Sequence, residues 1–264
     1  MKPGPGGAPV LVAREGLIAT LTLNRPERMN ALDQATWSSL GAAMRELSAD
    51  EALRCVVLRG AGGKAFAAGA DIQEFTRERA GSAQAKAYSR EGIGWMGAVG
   101  ECRHPTVALI EGVCVGGGLL IAAQCDLRIC NESARFGVPV KNLGLTESYE
   151  ELAAMLRVAG PAVSLEILLE GRIWGAREAR EKGLVHRVVP DAQVVEEAYA
   201  TARRIAEGAP LAARWHKKFI RRLADPRPLS DAERDECYAC FDTEDYREGV
   251  SAFLAKRKPA FKGR

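Results

Sequence analysis

Apolar and polar residues change period several times along the chain, and those changes set out the elements. Val10 to Leu23 carries two short aliphatic runs that meet near Glu15-Gly16, and Arg25-Pro26 closes the second, which predicts two short strands. From Asp33 the spacing lengthens. Trp37, Leu40, Met44 and Leu47 recur three or four apart, the signature of a helix with one apolar face, and Asp33 can cap its start. Leu53 to Gly60 has a β-branched centre, no alternation and a glycine stop, which predicts a buried strand. A loop of small residues, GAGGKAFAAGADIQEF, follows and enters a short helix. Pro105 precedes a strand at Thr106 to Ile110; then come Gly116 to Gly118, a short apolar helix, and a strand around Asp126 to Cys130. Strands alternating with helices predict an α/β layout.

From Glu150 onward the pattern is mainly helical, with Pro161 where a first helical turn accepts it. Gly183 ends one helix and Leu184 to Val189 reads as a strand. Helices then run to the end, broken at Gly208-Ala209-Pro210 and between Asp225 and Pro228. The expected division is a core over 8–190 and a helical module over 191–264.

Composition narrows the function classes. The 264 residues are 47% hydrophobic and 27% charged with a net charge of +3, as for a packed domain. No basic stripe is interleaved with aromatics, so nucleic acid is not an expected partner. Seven cysteines, mostly inside apolar runs, fit reduced thiols and a cytoplasmic location, and Cys237 and Cys240 are read as structural. His104, His186 and His216 stand far apart, so no metal is expected. The leader MKPGPGGAP lacks an apolar core, and no run reaches the ~18 apolar residues of a membrane span, so no membrane partner is expected either.

Chemistry has few places to sit. No G-x-S-x-G nucleophile elbow is present. GAGGKA, Gly60 to Ala65, matches a dinucleotide fingerprint in letters, but no long helix opens at its glycines and no acid follows at a strand end. Two other segments, KAFAAGAD and GVCVGGG, place tiny residues after strands, where bare backbone N–H groups can point outward. Two such donors meeting on one oxygen would make an oxyanion hole, and the helix after the second would add its positive end. Close packing between layers explains small residues equally well.

Taken together, NRPERMNAL (24–32), KAFAAGADI (64–72), HPTVALIEGVCVGGG (104–118), CDLRIC (125–130), ARFGVP (134–139), GAREAREKGLVHRVV and DYREGVSAFLAKRKPAF (245–261) resemble, in order and spacing, the crotonase (enoyl-CoA hydratase/isomerase) family. The resemblance implies a crotonase-like spiral of ββα repeats with a C-terminal helical trimerisation region, assembled as a homotrimer or dimer of trimers. It implies an acyl-CoA substrate and no cofactor beyond the CoA moiety. By motif position the thioester oxygen would be held by the N–H groups of Ala70 and Gly117. Ala68, Asp71 and Ile72 would line the adenine and pantetheine path, Arg28 would flank the CoA phosphates, and Phe253 and Lys256 would meet the nucleotide end. Gly116, Pro139 and Leu143 complete the candidate binding residues.

The departures matter as much. Hydratases of the family carry two glutamates where this chain has Leu120 and Val140, so neither position can move a proton. Some relatives use an acid after an LG pair; counting from Gly144 lands on Ser148, one residue beyond Glu147. Glu147 is therefore the candidate base. TESYEEL also reads as an ordinary helix start capped by Thr146, with acids suited to the dipole. The expected function is enolate stabilisation on an acyl-CoA thioester, by isomerisation or a non-standard hydration. An acyl-CoA-binding homologue without catalysis, or a CoA-thioester hydrolase or decarboxylase, are the alternatives.

Overall fold

A computed structural model of the chain describes residues 7–74 and 80–264, with side chains for all of these but 91–93. Two sheets organise it. The larger holds six strands in the order β1-β2-β3-β5-β7-β10, with ranges Val10–Glu15, Ile18–Leu23, Cys55–Gly60, Thr106–Ile110, Leu127–Asn131 and Arg187–Val189. The smaller holds β4 (Ala65–Ala67), β6 (Val113–Val115), β8 (Arg135–Gly137) and β9 (Trp174–Gly175). β1 and β2 form an antiparallel hairpin and the other pairings of the larger sheet are parallel.

The chain order shows the repeat. Each turn lays a strand in the larger sheet, a strand in the smaller one, and then a helix: β3, β4 and Ser82–Glu101; β5, β6 and Gly117–Gln124; β7, β8 and Tyr149–Glu170. This is the expected ββα spiral. Changing sheet within two residues demands a sharp corner. At the β5–β6 corner Gly112 has φ +62°, and a β-carbon there would stand 2.0 Å from the Lys64 carbonyl oxygen, so only glycine fits.

Local signals read from the sequence account for most element ends. Asp33 caps the helix Gln34–Ala49 by accepting from Thr36 N, and Trp37, Leu40, Met44 and Leu47 are its buried face. Gly160 is non-helical, at φ 72° and ψ 173°, and Pro161 restarts the helix behind it. Three expectations shift. The strand expected at Leu184 begins only at Arg187, because Leu184 N still bonds to Ala179 O at the close of the preceding helix. Ser148, not Thr146, caps Tyr149–Glu170, through a capping box with Glu151. And that helix is, by length and composition alone, apolar enough to cross a membrane. Its break at Gly160 and the burial of Ala154, Met155, Ser164 and Ile167 fit a role in packing against the core.

The principal core fills the space between the two sheets and the repeat helices, around Phe66, Phe136, Trp174 and Leu120. A second cluster lies across the larger sheet, where Val194, Ala198 and Ala202 of Val194–Ala206 pack on Cys55, Val57, Val107, Leu109 and Ile129. The helices Pro210–Arg222 and Glu244–Leu254 follow, leaving Leu223, Phe253 and Leu254 largely exposed.

Candidate active site

The loop after β4 is held by the motif at 24–32. Leu32 N donates to Gly69 O (2.8 Å) and Asp71 N donates to Leu32 O (3.0 Å), a one-residue parallel bridge between Leu32 and Ala70. In that pattern Leu32 bonds the two neighbours of Ala70, so the N–H of Ala70 itself points away from Leu32. Ala68 N donates to Met29 O at 3.0 Å, fixing the loop one step earlier. Arg25 holds it from the side: its guanidinium contacts Asp71 at 3.1 Å, Asp33 at 3.2 Å and Ala31 O at 2.7 Å. Asn30, 1% exposed with φ 56°, donates to Ala65 O and Ala61 O. Arg25 and Asn30 brace the loop, although sequence reasoning assigned neither a part; a polar residue in the turn between apolar runs is the signal each offered.

The second loop runs from β6 into Gly117–Gln124. Gly116 N donates to Gly137 O at 2.8 Å, tying the loop to β8, and Gly116 adopts φ 53°, ψ −127°, a conformation open to glycine. Gly117 is the first helical residue, so its N–H has no carbonyl within the helix. Among the described residues no acceptor is paired with the N–H of Ala70 or of Gly117. The loops lie against one another: a β-carbon on Gly69 would stand 3.6 Å from Gly117 N, and one on Gly118 would stand 2.3 Å from Ala67 O. Ala70 and Gly117 are both half-buried. Small residues let the loops approach, which brings Gly69, the neighbour of Ala70, against Gly117.

The positions expected to lack acids are apolar in space too. Leu120 is 1% exposed within the core, and Val140 is half-buried at the start of the short 3-10 turn Val140–Leu143. Cys114, in β6 before the glycines, is fully buried, and burial holds its thiol well above the ordinary range, so it offers no thiolate. Glu147 sits half-buried one residue before the cap of Tyr149–Glu170. Tyr149 is 90% exposed at that helix start.

The remaining candidates are spread over the surface. Arg28 is exposed and donates to Gln73 at 3.2 Å; Ile72 and Leu143 are about half-exposed and Pro139 is half-buried. The Asp71 carboxylate accepts from Arg25 and from Gln73 N, so its described bonds serve the loop. Residues 75–79, where a short helix was expected to continue, lie outside the described residues. Phe253 projects from Glu244–Leu254 and Lys256 follows it at φ 53°; no hydrogen bond or ion pair among the described residues joins either to the Arg28–Ile72 loop. Asp126 and Arg128, neighbours in CDLRIC, turn to different partners: Asp126 binds Thr106, Lys217 and Arg221, while Arg128 turns inward to backbone carbonyls. Glu111 pairs with Arg59 at 2.8 Å.

A spiral of ββα turns, with Ala70 after β4 and Gly117 after β6 in successive repeats, is the fold of a class of acyl-CoA enzymes, and comparison with known proteins places the chain within it. Residues 13–264 match the enoyl-CoA hydratase/isomerase family. A probable enoyl-CoA hydratase of Rhizobium meliloti is 37% identical over 97% of this chain and 98% of its own length. The short-chain-enoyl-CoA hydratase of Clostridium acetobutylicum is 32% identical over 97% and 98%. Among solved structures, an enoyl-CoA hydratase/carnithine racemase from Magnetospirillum magneticum superposes with a TM-score of 0.96 at 54% identity, covering 97% of this chain and 96% of that one. The chain belongs to the enoyl-CoA hydratase/isomerase family, the crotonases, and is an acyl-CoA enzyme of that family.

Proposed function

We propose that this enzyme binds an acyl-CoA with the thioester oxygen between the N–H groups of Ala70 and Gly117, and that these donors stabilise the enolate formed when a proton leaves the adjacent carbon. The observation that carries the reading is the Leu32–Ala70 bridge, which turns the Ala70 N–H out beside a helix start with a free first donor. Donors held in place before the reaction stabilise developing charge without reorganising, which is why such holes supply a large share of catalysis.

The reaction follows from what lines the hole. Addition of water by a carboxylate pair finds no acid at Leu120 or Val140. Migration of a double bond needs one base that removes a proton and returns it elsewhere, and Glu147 is the residue proposed for it. Family names of hydratases among the relatives speak for the same thioester chemistry. The proposal extends to the CoA path along Ala68, Asp71 and Ile72, with Gly116, Pro139 and Leu143 toward the acyl end and Arg28 at the phosphates. It extends also to a trimer in which Phe253 and Lys256 meet the nucleotide, with the exposed apolar side chains of the C-terminal helices as its interface.

The test is turnover of a panel of 2-enoyl-, 3-enoyl- and malonyl-type CoA thioesters, with products identified by mass spectrometry. Isomerised product that falls at least about a hundredfold in Glu147→Gln supports the assignment. Unchanged isomerisation in that variant removes Glu147 from the mechanism. A protein that binds these thioesters by calorimetry and converts none is instead a binding homologue, the reading that the missing acids favour.

A further inference from the structure

The helix that offers Gly117 at one end is finished in an unusual way at the other. Gly117–Gln124 has eight residues and spans about 12 Å. Its final carbonyls each meet a guanidinium. Arg128 Nη1 donates to Ala122 O (3.2 Å) and Cys125 O (2.5 Å), Arg157 Nη2 to Ala123 O (3.5 Å), and Arg221 Nη2 to Gln124 O (3.5 Å). The last two bonds are long, and Arg157 also grips the Gln124 side chain at 2.9 Å.

Arg128 is the unexpected member. It is 5% exposed, and among the described residues no carboxylate pairs with it; Asp126, the nearest acid in sequence, is taken by Lys217 at 2.6 Å and Arg221 at 2.9 Å. Its Nε donates to Leu184 O at 2.8 Å, so all of its described side-chain bonds go to backbone carbonyls. Burying a cation without a counter-ion is costly, and a fold retains one where fixed dipoles replace water. Here those dipoles are the carbonyls at the end of Gly117–Gln124, with Leu184 O beside them.

Resting on the oxyanion reading above, we infer that Arg128, with Arg157 behind it, is a positioning residue that polarises the oxyanion helix. The cations cancel the partial negative charge at the carbonyl end, so that an oxyanion at Gly117 feels the positive end undiminished. Unlike charges stabilise a helix terminus within its last turn, and across a protein interior one uncancelled charge over ~14 Å changes a transition-state equilibrium by about three- to tenfold. Asp126 offsets one of the two positive charges of Lys217 and Arg221, and among the described residues no carboxylate is hydrogen-bonded to Arg128 or Arg157.

The experiment uses the intact protein saturated with a saturated acyl-CoA carrying carbon-13 at the thioester carbonyl, read by infrared difference spectroscopy against unlabelled ligand. In the wild type the bound carbonyl band lies below its position in free acyl-CoA. Arg128→Gln and Arg157→Gln keep a donor for the same carbonyls and remove the charge, so each gives back part of that shift, Arg128→Gln the more. Arg128→Lys keeps the charge and most of the shift. If Arg128 and Arg157 only hold the helix end together, both Gln variants lose stability while the bound band stays at the wild-type position, and that outcome overturns the inference. Where Arg128→Gln does not fold, Arg157→Gln decides alone, because Arg157 lies nearer the surface. A wild-type band unmoved by binding overturns the oxyanion reading itself, before any variant is compared, and this inference falls with it.

Discussion

The corner made by residues 60–70 and 112–124 and the wall made by residues 139–149 are built in opposite ways. In the corner, Gly112, Gly116 and Gly118 each stand where a side chain would strike backbone or demand a forbidden conformation, and Arg25 and Asn30 lock the loop from behind. In the wall, Leu143 is 53% and Tyr149 90% exposed, and the segment between β8 and the next helix holds one short 3-10 turn. On the proposed reading the corner holds the thioester oxygen and the wall sets which proton moves, and the wall can vary without loosening the hole because little of the core depends on it.

The largest effect that would break this contrast comes from Gly118→Ala. Its β-carbon would stand 2.3 Å from Ala67 O, a backbone atom that cannot step aside. A loss of about 3 kcal/mol by chemical denaturation is expected, together with acyl-CoA binding. A variant as stable as the wild type would mean that the corner yields. Gly116→Ala is expected to cost about 1–3 kcal/mol from backbone strain alone, since the nearest atom to its β-carbon is a comfortable 3.6 Å away.

Next comes a pH effect on the fixed side. His104, just before β5, is fully buried with both ring nitrogens unpaired among the described residues, and burial followed by the Arg214 charge lowers it to about 4. The Asp50 backbone pulls only weakly the other way. The folded state thus binds fewer protons than the unfolded one below pH ~6.5. Stability is full above that value and falls as pH drops toward 4, by up to about 3 kcal/mol. His104→Leu should flatten that slope, leaving the part due to His186, which is lowered likewise to about 4; an unchanged slope would show that His104 is not what sets it. The smallest effect belongs to the wall: Leu143→Ala should move stability by less than about 0.5 kcal/mol, while altering the preference for acyl chain length in the turnover assay.

The same contrast explains what could be read from residues alone. Glycines, caps and apolar periods are local, so the hairpin at Glu15-Gly16, the Asp33 cap and the Gly160-Pro161 break were all legible. The glycines of GVCVGGG pointed to a tight approach, but what they approach, the loop at Gly69, lies some fifty residues away in sequence, and only folding joins them. Arg128 shows the limit most clearly. In CDLRIC it reads as a strand-end charge beside Asp126, and nothing local tells that it turns inward to carbonyls of the preceding helix. Leu120 was informative in both settings: its side chain lies in the core, where a proton-moving acid has no place in this chain.

The central claim is that this site stabilises an enolate, and hydrogen exchange at carbon tests it most directly. The protein is incubated with acyl-CoA thioesters in deuterium oxide, and the recovered thioesters are analysed by mass spectrometry. The account predicts deuterium at the carbon next to the carbonyl, or at the far end of a conjugated double bond, with the CoA thioester intact. Thioesters that bind by calorimetry and return without deuterium, or that lose CoA without prior exchange, would contradict it.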